Sequence, residues 1–268
     1  MIKSNFHTHT NFCDGKNTPE ELIERALNLG FNALGFCVHS FTDSSIDTIA
    51  SKKDVKNYYL YLKKLQNEYK GKIDLFVGIE QDYYSPPIEH DFDFVIGGCH
   101  YLNKNGNWLF VDQSAQKLKN YLSEYYNNDF SLYAKDYYSV VKNLSQIKGL
   151  TFIAHFDLLT KFNEKLDIQL DDRYYQYAFD ALDKLLELDL PFEINTGAIG
   201  RGYRTLPYPD AKILKRIYEK GGKIIINSDC HNKDKLDCSF SLAEDIAKSI
   251  GFTKHAVITK DGIKYIDF

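Results

Sequence analysis

The chain lacks the features that mark several large classes of protein. No apolar run approaches the length of a membrane span. The start, Met1-Ile2-Lys3-Ser4-Asn5-Phe6, has neither the apolar core of a signal peptide nor transit-peptide character, so a cytoplasmic location is expected. Cysteine is sparse: the five residues are odd in number and show no disulfide-type spacing. Cys37 and Cys99 fall at strand positions, where a reduced thiol serves as a small hydrophobe rather than as a ligand. Glycine forms no phosphate-cradling loop of the dinucleotide or P-loop type, and no internal repeat, low-complexity stretch or linker interrupts the chain. A net charge of -4 gives nucleic acid or an anionic membrane no electrostatic hold. Arginine is scarce too, confined to Arg25, Arg173, Arg201, Arg204 and Arg216. Its planar fork suits phosphate better than the point charge of lysine, so the placement of these few carries information.

What is present is an ordinary globular composition, 44% hydrophobic and 26% charged, with 15% aromatic residues that are almost all Tyr and Phe. Strand-like and helix-like segments alternate. Thr18 as N-cap, Pro19 at the first helical position and Glu21 three residues after the cap start a helix with an apolar stripe of Leu22, Ile23, Ala26, Leu27 and Leu29, capped by Gly30. Further helices are expected around 54–69, over 114–146 with a break near Asn127-Asn128-Asp129, over 172–188, after Pro209 and near 241–250. A last strand is expected near 256–259. Tyr101 to Gln113 reads as a long loop, because Asn-Lys-Asn-Gly-Asn-Trp lies within it. About seven or eight β/α units argue for a parallel sheet in a single domain covering residues 1–268.

Six of the eight histidines stand where an apolar run ends. His7 and His9 follow the first strand, His39 closes Ala33–Val38, His100 closes Phe92–Cys99, His155 closes Thr151–Ala154, and His231 follows Lys223–Ser228 with Asp229 beside it. Glu80 closes Leu75–Ile79 in the same way. An open doubly wound sheet gathers such residues mainly at its switch point. So many contributing strands argue instead for a barrel, whose site lies at the C-terminal ends of its strands. Imidazole and carboxylate together form the ligand set of zinc, manganese, iron and cobalt. Residues i and i+2 of a strand share a face, so His7 and His9 can reach one ion. With Asp14, nine ligand-type residues exceed the needs of one metal and suit two or three divalent ions sharing a bridging carboxylate, for which Glu80 is the candidate. Such a pair activates water and clamps the oxygens of an in-line displacement at phosphorus. His90 and His255 fit no motif and are expected at the surface.

These stretches resemble the PHP family of phosphoesterases (polymerase and histidinol phosphatase), and within it the histidinol-phosphatase branch. The resemblance rests on Phe6-His-Thr-His9, Val38-His39-Ser40, Gly78-Ile-Glu80, Phe94-Val-Ile-Gly-Gly-Cys-His100-Tyr-Leu, Ala154-His-Phe-Asp-Leu-Leu159, Glu193-Ile-Asn-Thr196 and Asn227-Ser-Asp-Cys-His231. It implies an α/β fold, a single distorted (β/α)7 barrel, and usually three metals. By motif, His7, His9, Glu80 and Asp229 would hold the first, Glu80, His100 and His155 the second, and Asp14, His39 and His231 the third. Many relatives carry His where this chain has Asp14, and a harder oxygen ligand changes the demands of that third site. The implied substrate is a small phosphate ester, L-histidinol phosphate, attacked by a metal-bridged hydroxide. Another small ester, such as a nucleoside monophosphate or sugar phosphate, is the alternative. Asp229 and His231 are the candidate proton source for the leaving group.

A phosphate also needs cations. Arg201 and Arg204 follow the Glu193–Gly200 strand-to-loop turn, and Gly197, Gly200 and Gly202 let that turn approach a ligand closely. Lys161, after His155, and Tyr101, after His100, are further substrate-binding candidates. Asp157 is expected to be a structural hydrogen-bond partner.

Overall fold

The computed structural model describes residues 2–42 and 50–268. Its strands are β1 (Ser4–Asn5), β2 (Ala33–Phe36), β3 (Asp74–Asp82), β4 (Phe94–Gly98), β5 (Tyr101–Lys104), β6 (Asn107–Phe110), β7 (Phe152–Ile153), β8 (Pro191–Asn195), β9 (Lys223–Asn227), β10 (Lys254–Thr259) and β11 (Gly262–Asp267). Seven of them form one sheet in the order β1-β2-β3-β4-β7-β8-β9, with every pairing parallel. The edges β1 and β9 come back together just beyond their ends. The Cys230 N–H donates to the His7 carbonyl at 3.0 Å, and the His9 N–H to the Cys230 carbonyl at 2.8 Å. The result is a nearly closed (β/α)7 barrel.

Capping chemistry sets the helix starts. In α1 (Pro19–Asn28) the Thr18 hydroxyl accepts from the Glu21 N–H while the Glu21 carboxylate accepts from the Thr18 N–H, and Gly30 at φ 71 lets the chain leave. In α2 (Lys52–Glu68) Ser51 and Asp54 repeat that box. Then come α3 (Ala115–Tyr125) and α4 (Phe130–Val141), separated by Asn127 at φ 52 and Asn128 at φ 60, a left-handed pair that breaks the helix where expected. They are followed by short α5 (Asn163–Leu166), α6 (Asp172–Leu186), short α7 (Gly197–Gly200), α8 (Ala211–Glu219) and α9 (Phe240–Ile250). Among the described residues no helix is long and apolar enough to cross a membrane.

Three readings need correction. The stretch Tyr101 to Gln113 is no loop: β5 and β6 pair antiparallel around Asn105-Gly106, with Leu102 opposite Leu109 and both buried. Asn105 at φ 53 and Gly106 at φ 85 make the left-handed turn that an Asn-Gly pair favours, so the polar composition concealed a hairpin signal. The C-terminus likewise holds the hairpin β10–β11 in place of one strand. His255, on β10, is not at the surface: it is 3% exposed and stacks on Phe268.

Strand alternation sorts the barrel interior into two layers. Phe6, Cys37, Phe76, Phe94, Ile96, Phe152 and Ile225 form an apolar floor, joined from below by Ala256 and Ile258 of β10. The opposite faces of the same strands, with Leu34, Phe36, Val77, Ile79, Phe192 and Ile226, join the larger core shared with the helices. Above the floor the same inward parity continues into His39 after Cys37, Glu80 on β3, and Asp229 after Ile225. The change from apolar to polar along each strand positions the site.

Candidate metal centre

Glu80 is the hub. Its carboxylate is 1% exposed, and Oε2 lies 3.1 Å from His39 Nδ1, 3.3 Å from His9 Nε2 and 3.5 Å from His7 Nε2. Oε1 lies 2.8 Å from His155 Nε2 and 3.2 Å from His100 Nε2. On the far side, Asp229 Oδ1 is 3.5 Å from Nε2 of both His7 and His9 and 3.4 Å from His231 Nδ1. Asp14 completes the ring, with Oδ2 3.1 Å from His231 Nε2 and Oδ1 3.6 Å from His39 Nε2. All nine residues singled out from the sequence as ligands thus converge on one spot.

Grouped by ligand-atom proximity, His9, Asp14, His39 and His231 form one set, His7, His155 and Asp229 a second, and His39, Glu80 and His100 a third. His9 therefore joins the Asp14 set as well as facing Glu80 and Asp229, with its ring stacked at 4.4 Å on His39 and 4.3 Å on His231. Cys37 Sγ also comes within 3.5 Å of His9 Nε2. Burial, reinforced by Glu80, pushes that thiol well up in pKa, which keeps it protonated.

The donor set fits divalent cations on two grounds. His7 Nε2 and Glu80 Oε2 are buried with no hydrogen-bond partner among the described residues, as ligand atoms would be. The backbone is also bent to aim ligands inward. Phe152 and Ala154 belong to the interior floor, so alternation would send His155 outward, yet at φ 20 its ring turns in toward Glu80. Asp229 sits at φ 46, another left-handed conformation at a ligand position. Behind the cluster, a Cβ on Gly98 would come within 2.9 Å of His100 Cε1, so only glycine leaves room for that ring.

A PHP domain model matches residues 5–197 of this sequence. The chain belongs to the PHP-domain family. Among curated relatives of this PHP chain, the histidinol-phosphatase of Bacillus subtilis (strain 168) is 24% identical over 264 residues, covering 86% of this chain and 94% of the relative. A solved structure from Listeria monocytogenes superimposes with a TM-score of 0.76 at 20% identity, covering 90% of this chain and 99% of the other. Histidinol phosphate phosphatase from Lactococcus lactis, solved with zinc, L-histidinol and phosphate, gives 0.73 at 19% identity, covering 98% of both chains. At these identities the superpositions establish a common fold.

The imidazoles of the PHP centre are tuned in opposite directions: against burial, Glu193, Asp229 and Glu80 raise the His7 pKa and Glu80 and Asp82 that of His100. Burial, helped by His231 and His39, lowers the His9 pKa to about 3, leaving a neutral imidazole at physiological pH. Burial would raise the Glu80 pKa, but His100, His39 and His7 outweigh it and hold the carboxylate ionised. Asp229 is held ionised in the same way, with Arg201 as the leading counter-charge.

Three further carboxylates, Glu193, Asp82 and Asp112, stand beside the ligands without a local metal-ligand motif to mark them. Glu193 on β8 places Oε1 2.8 Å from His7 Nδ1, while its Oε2 accepts the His155 N–H at 3.0 Å. One carboxylate thus orients two ligand residues. Asn195 and Asn227 donate to the two Glu193 oxygens at 2.8 and 3.0 Å. Asp82 accepts the His100 N–H at 2.7 Å, with its Oδ2 3.4 Å from the ring Nδ1. The signal was alternation: Glu193 and Asp82 lie on strands with side chains on the inner face. Asp112 lines the cavity above the centre.

The proposed substrate contacts are scattered. Arg201 lines that cavity and donates from Nη2 to Asp229 Oδ2 at 2.8 Å. Arg204 lies elsewhere, bonded to the Thr160 hydroxyl and stacked 4.6 Å from the Tyr208 ring centre. Lys161 is buried against Asp112, and Tyr101 packs on Phe110 with ring centres 5.3 Å apart. Asp157 accepts the Asp210 N–H at 2.8 Å, the structural role expected of it.

Proposed function

We propose that this chain, acting as one domain over residues 1–268, is a metal-dependent phosphomonoesterase that hydrolyses L-histidinol phosphate to L-histidinol and phosphate. The observation that carries the reading is the convergence of six histidines and three carboxylates on Glu80 and Asp229 at the mouth of a PHP barrel. The histidinol-phosphatase relatives supply the substrate. His7, His9, Glu80 and Asp229 would hold one ion, Glu80, His100 and His155 a second, and Asp14, His39 and His231 a third. Zinc, manganese, iron and cobalt all suit these donors. Bound there, such ions would lower the pKa of a water toward neutrality and offset charge on the phosphoryl oxygens.

The chain's own residues do the rest. Arg201, beside Asp229 and His231, lines the cavity and would present guanidinium N–H groups to a phosphoryl oxygen. Asp229 and His231 are the candidates for handling the proton of the leaving alcohol. Arg201 holds Asp229 as an anion, the form in which it would accept rather than donate a proton. Glu193 and Asp82 keep the rings oriented. A cytoplasmic location belongs to the same proposal, supported by the free thiols of Cys37, Cys99 and Cys230.

The test is turnover of histidinol phosphate against a panel of nucleoside and sugar monophosphates, with metal content measured alongside. Histidinol phosphate is expected to be the preferred ester, and His9→Ala and Asp229→Ala to lose both metal and turnover. Near wild-type turnover by either variant in metal-replete buffer would sink the mechanism, and preference for another ester would sink the substrate.

A further inference from the structure

Asp112 carries a charge of the wrong sign for a phosphate site, yet it lines the cavity above the metal centre with His100, Leu158 and Arg201. Its position is built from two sides. The Val111 N–H donates to the His100 carbonyl at 2.9 Å, which pins the end of the β5–β6 hairpin beside the cluster. From the turn after His155, Lys161 Nζ donates to the Asp112 carbonyl at 3.0 Å and to Oδ2 at 2.8 Å. Lys161 is 5% exposed, so its ammonium is a buried brace.

The Asp112 side chain, by contrast, keeps 31% of its exposure. Lys161 occupies Oδ2, and Oδ1 has no hydrogen-bond partner among the described residues. A carboxylate offers about four lone-pair positions, so it has capacity for a further donor. The cavity therefore holds charges of both signs, a guanidinium bonded to Asp229 and His231 and a carboxylate close enough to interact with it electrostatically. A simple phosphate ester gains nothing from that carboxylate, and an ester with a second anionic group is repelled by it. An ester with phosphate at one end and a protonated amine at the other matches both.

We infer that the Asp112 carboxylate, braced by Lys161, receives the protonated amine of an amino-alcohol phosphate and sets the preference of the site for such esters over neutral or more anionic ones. This rests on the phosphoesterase reading above and adds to it a residue that chooses the substrate class. The amine is held by direct charge pairing at a partly exposed position, so the effect falls mainly on substrate binding.

The test compares kcat/KM for histidinol phosphate with kcat/KM for imidazolylpropyl phosphate, the same ester without the amine. Wild type is expected to favour the amine. In Asp112→Asn the ratio should fall about 10- to 100-fold, the range for one lost charged hydrogen bond, with most of the change in KM for the amine ester. Asp112→Glu should regain part of it. An unchanged ratio in Asp112→Asn, or an equal loss on both esters, overturns the role of Asp112 and leaves the phosphoesterase reading standing. A wild type that hydrolyses neither ester in metal-replete buffer overturns that reading, and this inference with it. Should Asp112→Asn not fold, inhibition of wild type by histidinol and by imidazolylpropanol decides: stronger inhibition by the amine supports the pairing, and equal inhibition overturns it.

Discussion

The floor and the mouth of the barrel are built by the same strands, a few residues apart, and obey opposite rules. On β3, Phe76 packs edge-on against Phe6, while Glu80, four residues on, sits among five imidazoles. The floor fills its volume: Phe94 meets Phe6 edge-on and stacks on Phe152, and a Cβ on Gly78 would strike its ring at 2.3 Å. The mouth leaves buried polar atoms without partners and bends backbone at His155 and Asp229. Stability resides where packing is complete, and chemistry where polar groups are held ready for something else.

The sharpest way to break this contrast is to mutate each layer and read both properties. Glu80→Gln keeps the volume but removes the shared anion. Turnover should fall about a thousand-fold or more, the effect of losing several kcal/mol of transition-state stabilisation, while the melting midpoint of the metal-free protein moves little. Phe94→Ala should do the reverse: about 3–5 kcal/mol of stability is lost to the cavity, with turnover per folded molecule largely kept at low temperature. Denaturant unfolding and steady-state kinetics on both variants check the crossing, and a Phe94→Ala enzyme as inactive as Glu80→Gln would show the layers to be inseparable.

A smaller effect is expected one step behind the ligands. Glu193→Gln turns one of the two acceptor oxygens into an N–H donor, so either His7 or the His155 N–H loses its acceptor, and metal affinity or activity should weaken about 10- to 100-fold. Metal titration followed by calorimetry measures it, and wild-type affinity would remove Glu193 from the centre.

The smallest effect is on the dependence of stability on pH. Burial, only partly offset by Arg204, raises the Asp157 pKa to about 6. The folded chain therefore holds this proton at a pH where the unfolded chain, with a carboxyl near its ordinary value of 3.8, has released it. Stability from this group is full below the unfolded pKa and falls as pH rises through about 6. Asp157→Asn should flatten that slope in unfolding measurements between those two values, and an unchanged slope would assign the titration elsewhere.

The ligand residues were legible one by one. His39, Glu80, His100 and Asp229 each end an apolar run of the kind that folds as a buried strand, and period-two alternation then fixes which face they share. The β5–β6 hairpin was hidden because Asn, Lys and Gly suggest a loop by composition, although Asn105-Gly106 is a hairpin turn by conformation. Asp112, at the end of that misread segment, was missed with it. Glu193 was visible as a strand residue, but nothing local says that its carboxylate reaches His7 across the barrel.

By itself, then, the sequence determined the alternation of strands and helices, the change from apolar to polar along each strand, and so the gathering of nine ligand-type residues at one rim. Those depend on backbone periodicity, which acts between near neighbours. Only the tertiary structure decided which cations meet the cavity: Arg201 lines it, Lys161 is turned against Asp112, and Arg204 is stacked on Tyr208. Long side chains on loops go where the packing of other loops puts a counter-charge or an aromatic face, and that is a property of contacts between residues far apart in the chain.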